Sequence, residues 1–297
     1  MLHPSITISN LNENYKQIKN QQMLDCIDFA KNQNHDFFQS YNHVIKYLKY
    51  FSKFLPFDLT NQWLLFKQNK EADEFKKFDE WKKLGKIIKK GSKASYLIEY
   101  LSKPYIVDNN DADAECVPYT SATKIDKEKL QNGSIRIVKR KTLSFVPYFG
   151  DNQLKNPKIK TNDKVTINLI DWTTEILNSL KYNITYHVSD YNGLSIKDDV
   201  KSIWIFIKDE SYKELMLMRA LVRVLLSMDK YEAILENTNL EEEMVSFLVM
   251  EALNKNVYMY EFNDVEYLSK ILNEVDKEKF ITSILNIAKT IYKKITI

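Results

Sequence analysis

The spacing of apolar residues predicts that the front of the chain is helical. Over residues 10–54 the apolar positions recur every three or four residues, which is typical of amphipathic helices. Pro56 ends this run, and a second helix is predicted over 58–69. A short helix is predicted over 75–85, because Gly85 suits a left-handed C-terminal cap.

The pattern then changes to one typical of strands. Residues 86–104 are interpreted as a β-hairpin with its turn at Lys90-Gly91-Ser92, and residues 134–149 as a further strand segment. The polar stretch 105–132 is expected to be a long loop or insertion. Turn-forming residues, lysines and a proline make 150–164 the best linker candidate.

Beyond this linker the pattern is mainly helical. Strands are predicted at 184–188 and 202–207, and helices at 166–182, 210–228, 239–254, 264–274 and 276–295. The predicted fold class is therefore α+β with two domains. Residues 1–154 are expected to form a small α/β domain, and residues 165–297 a mainly helical domain with a small sheet.

Composition excludes several classes of protein. The chain has 297 residues, of which 44% are hydrophobic and 28% charged, so it is long and apolar enough to bury a core. It contains no apolar run of about 18 residues and no recognisable secretory signal, so we expect a cytoplasmic protein without a membrane partner. Two cysteines cannot supply a disulfide framework, and with five glycines no phosphate-binding loop motif is found, so no cofactor is expected.

Charge is divided unequally between the two halves. Residues 1–160 hold 27 lysines and arginines against 18 acidic residues, a net charge of +9, and residues 161–297 hold 16 against 22, a net charge of −6. Basic surfaces attract polyanions by releasing counterions, so nucleic acid is the first partner to consider for the front half. The alternative is a solvated, lysine-rich surface.

Lysines and aromatic residues are interleaved in one segment of the front half. Between Lys82 and Lys93 there are six lysines and no acidic residue, and Trp81 directly precedes them. Lysines neutralise phosphates and flat aromatic rings stack on unpaired bases, a combination that favours single strands. The alternative is that the tryptophans belong to the core and the lysines serve solubility. The predicted nucleic-acid-binding residues are Trp81, Lys82, Lys83, Lys86, Lys89, Lys90, Lys93, Arg136, Lys139, Arg140 and Lys141.

Residues 40–154 resemble the N-terminal domain of ArdC-type antirestriction proteins. The resemblance rests on the helix motif N..LL..Q beginning at Asn61, on the segment from Trp81 to Gly91, and on Phe149-Gly150-Asp151-Asn152-Gln153. It implies a domain that binds single-stranded DNA. The acidic stretch 108–115 departs from the family pattern, and it would repel nucleic acid if it lay over the basic face.

In ArdC-type proteins the second domain resembles a zincin metallopeptidase, with H-E-x-x-H on one helix. The resemblance places Arg219-Ala220-Leu221-Val222-Arg223 where this motif belongs. Arginine stays protonated and cannot donate a lone pair to zinc. The four histidines (His3, His35, His43 and His187) lie elsewhere in the sequence, so we expect a domain without a metal and without catalytic residues.

The next helix is similar to the family helix whose glutamate supplies the third zinc ligand. Glu241 is its first counterpart and Glu243 the second. A buried carboxylate without a cation is costly. Our hypothesis is that Arg219, Arg223 or both replace the metal by forming an ion pair with Glu241 or Glu243. The alternative is that the register is shifted and that the arginines lie on the surface.

These observations predict a protein that binds and does not catalyse. The resemblance implies an anti-defence protein of a mobile element, phage or plasmid, that binds single-stranded nucleic acid, a host nuclease such as a restriction or CRISPR effector, or both. A strand-coating accessory protein of conjugation or replication is the alternative. An active metallopeptidase has little support, because no histidine pair has metal-ligand spacing.

Overall fold

The computed structural model describes residues 21–108, 117–156, 167–227, 239–255 and 272–296, together with Val257, Phe262, Val265 and Lys270. These residues form helices and two small sheets, which confirms the predicted mixture of helix and sheet. Residues 109–116, which include most of the acidic stretch 108–115, lie outside the described residues. Most of the helix predicted at 264–274 lies outside them too.

The helices and strands are numbered in chain order. The helices are α1 (Gln21–Phe37), α2 (Tyr41–Lys53), α3 (Leu59–Asn69), α4 (Phe78–Lys83), α5 (Lys124–Gln131), α6 (Leu169–Ser179), α7 (Lys213–Ser227), α8 (Asn239–Ala252) and α9 (Glu274–Thr296). The strands are β1 (Phe75–Lys76), β2 (Ser95–Asp108), β3 (Val117–Pro118), β4 (Ile135–Gly150), β5 (Asn183–Val188), β6 (Gly193–Lys197) and β7 (Ser202–Ile207). Within the described residues, no helix has the length and apolar character needed to cross a bilayer.

Sheet 1 has the strand order β1-β4-β2-β3 and is dominated by one long antiparallel pair. β2 pairs with β4 from Ser95 opposite Tyr148 to Asp108 opposite Ile135. The hairpin predicted at 86–104 is therefore wrong, because Ile88 bridges Leu154 and the partner of β2 lies some 40 residues further along the chain. The loop predicted at 105–132 is also wrong in part, since it contains the end of β2, β3 and α5.

α3 covers the edge of β2 that faces away from β4. The side-chain amide of Asn61 donates to the carbonyl of Ile98 at 2.9 Å and accepts from the Ile98 N–H at 2.8 Å. Gln68 binds Tyr96 in the same two-way manner, at 3.0 and 2.8 Å. Two amide side chains thus pair with backbone groups that a neighbouring strand would otherwise satisfy.

Sheet 2 has the order β5-β7-β6, with β5 parallel and β6 antiparallel to the central strand β7. Ile203, Ile205 and Ile207 point to one face of the sheet and pack against α6 and α7. This alternation follows from the two-residue period of a strand. It fixes the position of α7, which carries the candidate site.

The larger core crosses the predicted domain boundary. Buried residues of α1, α2 and α3 belong to the same cluster as buried residues of α8 and α9, and Trp63 is fully buried in it. The predicted linker begins in ordered structure, because Asp151 accepts hydrogen bonds from the N–H groups of Asp73 and Glu74. The domain boundary itself stays a prediction.

Asp58 gives the fold a dependence on pH that can be tested. It caps α3 by accepting from the N–H of Asn61 at 2.9 Å, and burial raises the pKa of its carboxyl from 3.8 to about 6. Between these two values the folded state binds the proton more tightly than the unfolded state. The contribution of Asp58 to stability is therefore greatest at low pH, falls as the pH rises through this window, and is level above it.

We expect Asp58→Asn, which keeps a capping side chain, to remove this contribution. Because Asp58 is partly exposed, the wild-type protein should lose roughly 1–2 kcal/mol relative to the variant between about pH 4 and pH 7. Urea unfolding of both proteins across that range measures the difference. Parallel stability profiles would contradict the assignment to Asp58.

Candidate functional site

The facing sides of α7 and α8 hold a group of four charged residues, here named the arginine–glutamate cluster: Arg219, Arg223, Glu242 and Glu243. The Nε of Arg219 donates to Oε1 of Glu242 at 2.6 Å, and its Nη2 donates to Oε1 of Glu243 at 3.2 Å. The Nε of Arg223 donates to Oε2 of Glu242. Both oxygens of Glu242 are thus held by guanidinium groups from successive turns of α7.

The cluster is largely withdrawn from water. The side chain of Glu242 is 0% exposed, and those of Arg219 and Arg223 are 22% and 23% exposed. Two guanidinium groups balance two carboxylates, so the cluster itself carries no net charge. Charge-assisted hydrogen bonds of this kind are among the stronger polar contacts in proteins.

Arg223 also ties the cluster to its surroundings. Its Nη2 donates to Oδ1 of Asn239 at 2.9 Å, and its Nη1 donates to the carbonyl of Leu194 on β6 at 3.4 Å. One side chain therefore connects α7, the start of α8 and the edge of sheet 2. This arrangement fixes where the guanidinium lies and limits its freedom to bind another group.

The sequence hypothesis identified most of these residues but not the central carboxylate. Arg219 pairs with Glu243, one of the two partners that it named. The residue between both arginines is Glu242, which it did not name. Glu241, its first choice, is also buried, and Ala220 lies in the core between α7 and sheet 2. The alternative of arginines on the surface is wrong, because both side chains are largely buried and paired with glutamates, whereas the register relative to the family motif stays a prediction.

The residues at these positions do not fit the zinc site that the resemblance implies. Zinc needs ligands with a free lone pair, and protonated guanidinium groups have none. In the part of the chain that the structure describes, no three His, Cys, Asp or Glu side chains are grouped so that they could hold a metal ion. The cations of Arg219 and Arg223 instead supply the positive charge that Glu242 requires.

The second candidate site is the lysine segment, residues 78–93, formed by α4 and the chain that follows it. Lys82, Lys83, Lys89, Lys90 and Lys93 are exposed, and Lys86 is half-buried. Three apolar side chains of the same segment are also exposed, Phe78, Leu84 and Ile87. Because Lys89 donates from Nζ to the carbonyl of Asn152 at 3.0 Å, part of its charge is already engaged.

Trp81 cannot act as the predicted stacking platform. Its side chain is buried, and its indole N–H donates to the carbonyl of Phe149 at 2.8 Å. The Nζ of Lys76 lies 5.0 Å from the ring centroid. Trp81 is therefore a structural residue that attaches α4 to β4, and Phe78 is the exposed ring of this segment.

The predicted cations of β4 lie apart from the lysine segment and do not share one face. Arg140 is opposite Lys103 and Lys139 is opposite Pro104, so Arg136 and Arg140 point to one side of the ribbon while Lys139 and Lys141 point to the other. Along the strand, Lys141 lies roughly 25 Å from Phe149, where β4 meets the lysine segment. The predicted residues therefore do not form one continuous surface: the lysine segment is one, and the two sides of the β4 ribbon are two others.

Two clefts border the lysine segment. One has a volume of about 640 Å³ and is lined by Lys83 and Leu84 over an aromatic floor that includes Phe57 and Phe75. The other has a volume of about 610 Å³ and is more polar, with Lys67 and Lys93 at its rim. Each cleft has the size of a small-molecule or nucleotide site.

Comparison with solved structures returns two crystal structures of one protein. The first is the antirestriction protein ArdC from plasmid R388 in its metal-free form, with 12% sequence identity, a TM-score of 0.44, and coverage of 80% of this chain and 84% of that chain. The second is the Mn(II)-bound form, with 11% identity, the same TM-score, and coverage of 80% and 82%. Both of these structural neighbours are forms of the antirestriction protein ArdC. No protein-family profile and no curated protein sequence match the chain.

The residues that carry the sequence resemblance to ArdC-type proteins have structural roles in this chain. Asn61 and Gln68 belong to the N..LL..Q motif and hold α3 to β2. Gln153 accepts from the N–H of Gly150 at 2.8 Å and donates to the carbonyl of Lys93 at 2.7 Å. The shared motif residues thus maintain backbone geometry, whereas the exposed lysines lie between them.

Proposed function

We propose that this chain is a non-catalytic anti-defence protein that acts by binding, with single-stranded nucleic acid as a ligand of its front half. The observation that carries the proposal is the arginine–glutamate cluster. At the positions where the resemblance expects two metal-ligating histidines and a general base, the chain has two engaged arginines and a buried alanine. A binding protein needs shape and charge and has no use for a general base.

The lysine segment supports binding of single strands. Its exposed lysines provide charge for phosphates, and Phe78, Leu84 and Ile87 provide apolar surface for the faces of unpaired bases. In duplex DNA those faces are stacked and unavailable. This combination therefore favours single strands over duplex.

The sequence resemblance to ArdC-type proteins supports an antirestriction role. In this proposal the chain acts in the cytoplasm of a host that carries a phage or plasmid, and it opposes a restriction or CRISPR nuclease by occupying either the entering strand or the nuclease. The arginine–glutamate cluster contributes a stable scaffold for such a contact. It contributes no chemical step.

Neutralising the lysine segment should weaken binding of single strands. We expect the variant Lys86→Gln, Lys89→Gln, Lys90→Gln and Lys93→Gln to lose roughly 100-fold in affinity for a labelled oligothymidylate at 0.1 M salt, and its salt dependence to flatten, because each phosphate contact on a single strand contributes about 0.7 to the salt slope. Fluorescence anisotropy over a salt series measures both quantities.

A matched control removes the same charge from the opposite end of the chain. The exposed lysines Lys270, Lys279, Lys293 and Lys294 can be changed to glutamine together. If both variants lose affinity equally, net charge alone explains the binding and the lysine segment is not the site. Stoichiometric zinc together with chelator-sensitive proteolysis would overturn the non-catalytic proposal.

A host nuclease is tested separately. A complex with a restriction or CRISPR nuclease that survives complete removal of nucleic acid would support inhibition by direct contact. Strand binding together with unimpaired nuclease activity on duplex DNA would instead favour a strand-coating accessory protein. Both experiments use the full chain.

A further inference from the structure

Sheet 2 has an outer face, opposite to α6 and α7, that carries aromatic and small polar side chains. Trp204 and Phe206 of β7 point to this face, because Ile203, Ile205 and Ile207 point inward. The register places nine side-chain positions on it: Asn183, Thr185, His187, Gly193, Ser195, Lys197, Ser202, Trp204 and Phe206. Not one of these nine positions holds an acidic residue.

Three rings form a stack across the sheet on this face, here named the three-ring stack. The ring of Phe206 lies 5.2 Å from that of His187 and 5.7 Å from that of Tyr191, with interplanar angles of 22° in both pairs. The terminal members are accessible, since His187 is exposed and Tyr191 is 55% exposed. His187 is thus an exposed ring that stacks on Phe206.

Gly193 allows the stack to form. A Cβ atom at this position would lie 2.7 Å from Cε2 of Tyr191, closer than real contacts allow. The ring of Tyr191 therefore occupies the space above β6 where a side chain of residue 193 would stand. The lack of a side chain at one strand position extends the row of rings to the edge of the sheet.

We propose that the three-ring stack is a second contact for single-stranded nucleic acid, in which an unpaired base stacks on the outward face of Tyr191. A flat ring that is already held on one side by Phe206 is a ready platform for a base. Further along the same face, next to Trp204, the Nζ of Lys197 lies 4.7 Å from the ring centroid of Trp204 and offers a cation to a neighbouring phosphate of the strand. Thr185 and Ser195 flank Trp204 and add hydroxyl groups for hydrogen bonds.

The site differs in character from the lysine segment, although the inference rests on the proposed binding of single strands. Acidic residues lie in the loops around sheet 2, at Asp190, Asp198, Asp199 and Asp209. They offset the charge of the few lysines, so the contact must come from stacking more than from charge. Its contribution should therefore persist at salt concentrations that screen the lysine segment.

Two variants test the three-ring stack. At 0.3 M salt we expect Tyr191→Ala to reduce affinity for a labelled oligothymidylate of 20 nucleotides at least about fivefold, because the stacking contact with one base is lost. Gly193→Ala should act in the same direction, since it displaces the ring without removing it. Val188→Ala is the control, because Val188 is 92% exposed on the same sheet, in register with the inward-facing Ile207. Wild-type affinity in both test variants would overturn the proposal.

Photocrosslinking separates this proposal from the first one. An oligonucleotide that carries bromodeoxyuridine should crosslink to Tyr191 or His187 in the wild-type chain and also in the variant with a neutralised lysine segment. Crosslinks confined to residues 78–93 would overturn the second contact and leave the first intact, whereas no crosslink and no binding would overturn both. Free thymidine monophosphate is the last competitor. If it displaced the labelled oligonucleotide at the same concentration as the unlabelled oligonucleotide does, the three-ring stack would be a nucleotide site and the strand contact would be refuted.

Discussion

Replacing both arginines of the arginine–glutamate cluster with methionine should destabilise the protein by about 3–5 kcal/mol. In the variant Arg219→Met and Arg223→Met, the carboxylate of Glu242 would stay buried without either of its cations. Methionine keeps much of the apolar stem of arginine, so the loss of packing should be small. The effect therefore reports the cost of an uncompensated buried charge.

A third substitution should reverse most of this loss. Adding Glu242→Leu to the double variant removes the buried charge and leaves apolar side chains of similar volume in its place. Buried ion pairs replaced in this way are often neutral or stabilising, because the desolvation cost of the charges disappears. We expect the triple variant to lie within about 1 kcal/mol of the wild-type protein, or above it.

Urea unfolding at neutral pH measures all three proteins. The control is Lys279→Met, which breaks an exposed ion pair with Asp276 and should change stability by less than about 1 kcal/mol. If the double variant were as stable as the wild-type protein, Glu242 would not depend on the arginines. In that case the idea that guanidinium groups replace a metal ion would be wrong.

The cluster joins α7 and α8 through side chains and not through a metal ion. In a metal site, the ligands depend on an ion that can leave, and a chelator then removes part of the folding free energy. Here the cations are covalently part of α7, so the contact between α7 and α8 is independent of any ion supply.

The sequence predicted local structure well and long-range pairing poorly. The helix at 58–69 and the strands at 184–188 and 202–207 appear with nearly the expected bounds. The hairpin at 86–104 failed because Gly91 signals a turn but says nothing about which strand follows it as a partner. The turn exists, with a positive φ at Gly91, yet the chain before it pairs with residues near Leu154.

The candidate sites show the same division between pattern and geometry. The resemblance to ArdC-type proteins was enough to pair α7 with a carboxylate of α8, but consecutive residues of a helix point about 100° apart. Three successive glutamates therefore offer a carboxylate in three directions, and only the packing of the helices selects Glu242. In the same way, sequence proximity to lysines did not reveal that Trp81 is buried while Phe78 is exposed.

The residues of the N..LL..Q motif lead to the second large effect. Asn61→Ala should destabilise the protein by about 3 kcal/mol, because the buried N–H and C=O of Ile98 would both lose their partner. A strand edge cannot recover these bonds from water when α3 lies over it. The loss should exceed that of an ordinary surface hydrogen bond severalfold.

Asn69→Ala is the matched control on the same helix. Its side-chain amide exchanges two hydrogen bonds with the exposed amide of Asn152, and water can replace both of them. We expect a change of less than about 1 kcal/mol for this variant in urea unfolding. If both variants lost the same stability, the hydrogen bonds between Asn61 and β2 would contribute no more than exposed ones. The role assigned to Asn61 at the edge of β2 would then be wrong.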